Sequence, residues 1–158
     1  MLSYSRRHIV CALTLATGLP LVANVALAFG TAEDAKAMLD KTVAAVKADK
    51  AKTLDEINSA QNGFLQGDIY PFCFDMSDGK VVAVANQNAK AFIGKDIRTV
   101  KDPTGDPYGE KIYAAAKEGQ VNEVSYKFPK PGPDKTPVPK VGFVTAVAGL
   151  GCGVGYYK

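Results

Sequence analysis

Apolar residues at Ala35, Met38, Leu39, Val43 and Val46 recur at helical spacing, and Leu54 and Ile57 continue the stripe. The polar run from Ala48 to Lys52 dilutes it, so the spacing predicts a long helix followed by a shorter one. Thr31, three residues before Asp34, has the form of a capping box at the helix start. After a loop with Gly63 and Gly67 the pattern changes. "IYPFCFDM" and "KVVAVAN" read as two strands of a hairpin turning on Asp78-Gly79. "DPTGDPYG" is a loop leading into a helix, with Asp106 as cap, Pro107 at its first position and Gly119 as its stop. "VNEVSYKF", "VGFVTAVA" and "GCGVGYYK" read as three further strands. Five of the nine prolines (129, 131, 133, 137 and 139) stand between the first two of these, which makes that connection extended rather than helical. Helices, hairpin, helix and three strands predict an α+β domain, mostly antiparallel, with helices packed on one side.

The N-terminal segment carries a different message. Arg6 and Arg7 precede an apolar run from Ile9, and the run closes on the small residues Ala26 and Ala28. That is the form of a secretory signal cleaved after Ala28, and "SRR" before the apolar run also fits twin-arginine export. The expected organisation is a signal peptide over residues 1–28 and one domain over 29–158, located in the periplasm. Removing the signal lowers the formal charge from +3 to +1, with the remaining lysines spread along the chain. No clustered basic face for nucleic acid is present.

His8, the sole histidine, and Cys11 both leave with the signal. A mature chain without histidine cannot build Ser-His or Cys-His nucleophilic catalysis, which argues against an ordinary hydrolase. Cys73 and Cys152 remain, and in an oxidising compartment an even pair reads as a possible disulfide. Asp102, Asp106 and Glu110 invite a calcium reading, but they lack the alternating donors of a calcium loop and suit turn and cap roles better. In the last strand, glycines 151, 153 and 155 leave one face bare while Cys152, Val154 and Tyr156 occupy the other. A bare face admits close approach of a helix, the commoner use, or of a ligand.

The run from "VKADKAKTLDEINSAQNGFLQGDIYPFCFDMSDG" through "KDPTGDPYGEKIYAAAKEG", continued by "YKFP", "PGPDKTPVPK" and "GVGYY", resembles the single Cache domain family of extracytoplasmic sensors. The resemblance spans nearly all of the chain after residue 28. It implies a PAS-like antiparallel sheet, a long N-terminal helix and a small-molecule pocket on the sheet. Two departures stand out. Asn86, Gln87 and Asn88 replace a histidine-proline-asparagine stretch, and Phe143 and Leu150 stand where a tyrosine and a tryptophan are common. The resemblance therefore carries no particular ligand over.

It does imply a site. Tyr70, Phe72, Asn86, Tyr126, Lys127, Lys140 and Phe143 are the expected lining, with either lysine as a point-charge anchor for a small organic anion such as a carboxylate. No cofactor, metal or catalytic residue is expected. A separate membrane chemoreceptor or histidine kinase would receive the signal. Because first and last strands are central neighbours in such a sheet, Cys73 and Cys152 are expected to form a structural disulfide. The alternatives are an interaction protein with an empty pocket and a thiol-redox protein, the latter without a C-x-x-C motif.

Overall fold

The computed structural model describes residues 29–158; the expected signal segment lies outside them. Helix α1 spans Ala32–Ala48. Its capping box is formed: Asp34 N donates to Thr31 Oγ1 (3.2 Å) and Thr31 N donates to Asp34 Oδ2 (2.9 Å). The stripe breaks at Asp49, whose backbone is extended (φ −156°, ψ 98°) and whose carboxylate accepts from Lys52 N, so one residue ends α1 and caps α2 (Lys50–Asn58).

Five strands follow, β1 (Pro71–Asp75), β2 (Val81–Val84), β3 (Asn122–Pro129), β4 (Pro137–Val147) and β5 (Leu150–Tyr157). They form one sheet ordered β2-β1-β5-β4-β3, with every strand pair antiparallel. The β1–β2 turn uses Asp78-Gly79 as expected, with Gly79 at φ 78°. β4 and β5 are joined through Ala148 and Gly149, both at positive φ (50° and 78°), a twist that suits a right-handed hairpin. At the outer edge of β2 the Asn58 amide takes the place of a neighbouring strand. It donates to Val82 O (3.0 Å) and accepts from Val84 N (3.1 Å), which blunts an otherwise open edge.

Strand alternation divides the sheet into two faces. One carries Cys73, Cys152, Val154, Tyr156, Phe143 and Thr145 and is covered by α1, whose Lys36 Nζ lies 5.1 Å from the Phe143 ring centre. The other carries Phe72, Phe74, Tyr126, Phe128, Lys140 and Tyr157 together with the β5 glycines. Helix α3 (Tyr108–Ala115) packs here: Tyr108 stacks on Tyr126 (4.8 Å between centroids) and Tyr113 meets Phe74 (5.7 Å). Helices therefore lie on both faces, a correction to the one-sided packing expected.

Two local expectations also change. Pro107, not Asp106, occupies the N-cap of α3, and it provides no side-chain cap. Asp106 instead pairs with Lys111. The helix ends at Ala115, before Gly119. Asp102 is a turn residue as expected, its Oδ1 accepting from Thr104 N and Oγ1 and from Asp106 N.

Candidate functional site

The glycines of β5 face neither a helix nor an open ligand groove. Aromatic rings from neighbouring strands lie across them. A Cβ added at Gly151 would meet the Phe74 ring at 2.2 Å, and one at Gly153 the Phe72 ring at 2.6 Å. At Gly155 it would sit 2.7 Å from Lys140 Cε and 2.8 Å from the Tyr126 hydroxyl. The missing side chains let large groups of β1, β3 and β4 lean flat over the middle of the sheet. Of these, Phe72 and Tyr126 form the floor of an apolar cavity of about 60 Å³, space for a few heavy atoms. Tyr70, Phe72, Tyr126 and Phe128 line it from the sheet side. Val81, Val84, Ala89, Phe92, Ile97, Val100, Tyr108 and Ile112 close it from β2, α3 and the 3-10 segments Gln87–Phe92 and Ile97–Thr99.

Behind the wall made by Tyr70 and Phe128 lies Lys140, only 2 % exposed. Its Nζ sits over three rings, 4.4 Å from the Tyr157 centroid, 4.6 Å from Tyr70 and 5.5 Å from Phe128. Its one hydrogen bond, to the Tyr70 hydroxyl, is long at 3.4 Å. No carboxylate lies within salt-bridge distance; the four ion pairs among the described residues are elsewhere. Burial pulls the Lys140 pKa down to about 7, against a weaker upward pull from Asp68. Burial also raises the Tyr70, Tyr126 and Tyr157 hydroxyls above the ordinary phenol value and takes Tyr108 to about 12, so all four are neutral donors at physiological pH.

Three residues expected at the site, Tyr70, Phe72 and Tyr126, line the cavity, and Lys140 stands directly behind it. Asn86 caps the first 3-10 segment, its Oδ1 accepting from Asn88 N, and does not line the cavity. The other two lie elsewhere. Phe143 is buried on the α1 face, stacked on Tyr156 (5.7 Å). Lys127 alternates away from the cavity on edge strand β3, exposed beside a shallow groove with Asp102 and Asp106. Sequence reasoning passed over Phe128 and Tyr157, though strand alternation puts them with Tyr126 and Lys140. It also passed over Asp68, a loop residue with no periodic signal.

Cys73 and Cys152 are directly opposed across β1 and β5 and joined by a disulfide, fully buried beneath α1. The bridge is on the face away from the cavity.

The fold has solved counterparts. A methyl-accepting chemotaxis protein from Vibrio parahaemolyticus is 21 % identical with a TM-score of 0.59, covering 79 % of this chain and 86 % of that one. A periplasmic sensor domain of a chemotaxis protein gives 22 % and 0.58, covering 79 % and 88 %. A Cache chemosensory domain, solved for its recognition of carboxylic acid, gives 25 % and 0.56, covering 79 % and 86 %. No curated protein sequence matches. The family model for the Cache domain matches residues 29–157, and the chain belongs to the Cache domain family.

Proposed function

We propose that this is an exported sensory domain that binds a short organic carboxylate in the cavity and signals through a separate membrane receptor or kinase. One observation carries the reading: a buried ammonium has three donors, one long hydrogen bond and no carboxylate partner. Burying such a group without a counter-charge is costly, and an anion beside it removes the cost. In this reading the Tyr70 and Tyr126 hydroxyls would donate to the same anion, and Phe72, Val81, Val84 and Ile112 suit a short apolar tail. The volume favours a ligand of a few heavy atoms over a bulky one. The related Cache domain that recognises carboxylic acid supports the ligand class. Among the described residues no helix is long and apolar enough to cross a membrane. The lining is apolar and aromatic, with tyrosine hydroxyls as its polar side-chain groups and no nucleophile paired with a base, which favours binding over catalysis.

Titration calorimetry with formate, acetate, propionate and butyrate on the chain beginning at Phe29 tests this. Binding of at least one acid, weakened about 10- to 100-fold in Lys140→Met and unchanged in Lys127→Ala, is expected. No binding by any of the four, or equal affinity in Lys140→Met, would overturn the assignment.

A further inference from the structure

Asp68 is the second charged residue buried near this end of the sheet, 4 % exposed, and nothing in the ligand reading uses it. Its Oδ1 accepts from Gly30 N at 2.8 Å, whereas Oδ2 is buried with no hydrogen-bond partner. A carboxylate held out of water by a single backbone amide is incomplete, and a cation supplies what is missing. Lys140 lies outside salt-bridge distance.

We infer that processing after Ala28 makes the α-amino group of Phe29 the missing partner of Asp68. Successive backbone nitrogens lie roughly 3 to 4 Å apart. The nitrogen before the one already bound to Oδ1 is therefore within reach of the other oxygen of the same carboxylate. Hydrolysis of the Ala28–Phe29 bond by an export peptidase adds water, leaves a carboxylate on Ala28 and an amine on Phe29, and the amine takes up a proton at neutral pH. An internal amide offers one neutral N–H; the ammonium offers three donors and a charge.

The surrounding contacts hold Phe29 in place. Its ring meets Tyr157 edge-on at 6.0 Å and carries Lys130 Nζ at 3.9 Å. Gly30 lies so close to the 68–69 segment that a Cβ there would stand 2.1 Å from Ile69 Cγ1. Phe29 and Gly30 thus form a strap across the sheet end where Tyr157 and Lys140 sit. The ion pair locks that strap, so the domain completes its own structure only once the signal is gone. The inference rests on the expected cleavage site and is independent of any ligand.

Three preparations test it: the exported product of the full chain, a chain beginning at Phe29, and one retaining Ala28. Intact mass of the exported product should give Phe29 as the first residue. The Phe29 chain should melt about 5 °C above the Ala28 chain, and Asp68→Asn should erase the gap. As a second readout, should Asp68→Asn fold poorly, the native N-terminal amine of the Phe29 chain should be acylated at least about tenfold more slowly than in denaturant. A different first residue, equal melting temperatures, or an amine as reactive in the native chain as in the denatured one overturns the proposal. None of these readouts involves a carboxylate ligand, so failure of the sensing assignment leaves them standing.

Discussion

Replacing Lys140 by methionine removes the buried amine and keeps a flexible stem of similar length. The pKa of Lys140 falls from 10.5 in the unfolded chain to about 7 in the fold because burial disfavours the charged form. Between those values the unfolded chain binds more protons than the folded one, so stability rises with pH across the window. At pH 7 the linked penalty is about 4 kcal/mol, and by pH 9 it has fallen to about 2 kcal/mol. The wild type should therefore gain about 2 kcal/mol from pH 7 to pH 9, read as roughly 6–10 °C in melting temperature for a domain of this size. The raised tyrosine pKa values act only above about pH 10, and using the chain that retains Ala28 for both proteins keeps the Phe29 amine, which would titrate in this window with the opposite slope, out of the comparison. Lys140→Met should be flat across the window and more stable than wild type at pH 7. Thermal melts at half-unit pH steps on both proteins supply the measurement. Parallel slopes for wild type and variant would refute the premise that this lysine is buried without a counter-charge.

The same linkage shapes ligand binding: an anion beside Lys140 holds its proton on, so calorimetry in buffers of different ionisation enthalpy should show proton uptake above pH 7. Affinity should then fall about tenfold per pH unit from pH 7 to 9. Gly153→Ala should cost about 1–3 kcal/mol in urea melts, because the new methyl meets the Phe72 ring. Serine at both Cys73 and Cys152 opens a loop closed across a sequence separation of 79. Denaturant unfolding should show a loss of about 4 kcal/mol, and intact mass under non-reducing conditions should find no free thiol in the wild type. Ala148→Asn should raise stability by about 0.5–1 kcal/mol, since asparagine tolerates the positive φ that alanine holds there.

Much of the fold was legible because it rests on local rules. The Thr31–Asp34 box, the break at Asp49 and the Asp78-Gly79 turn each follow from interactions within a few residues. Strand alternation was legible too. Lys140 and Phe143 are three positions apart on one strand, so they cannot share a face, and placing both at the site ran against that parity. The cap of α3 went astray for a different reason. Asp106 looks like a cap by position, but its carboxylate is engaged by Lys111.

Periodicity along one strand separates two sets of side chains without saying which set meets a helix and which encloses a cavity. That was decided by the strand order, which brings β5 between β1 and β4 and lets Phe72, Phe74, Tyr126 and Lys140 lean over glycines that are distant in the chain. The burial of Lys140 is likewise a tertiary fact. Its sequence neighbours would suit an exposed lysine equally well, and only the convergence of Tyr70, Phe128 and Tyr157 from two strands and a loop takes its amine out of water. Asp68 makes the point from the other side: a lone loop carboxylate has no pattern to betray it. Its environment is set by the strap at Phe29 and Gly30, nearly forty residues earlier, which packs against it only when the chain has folded.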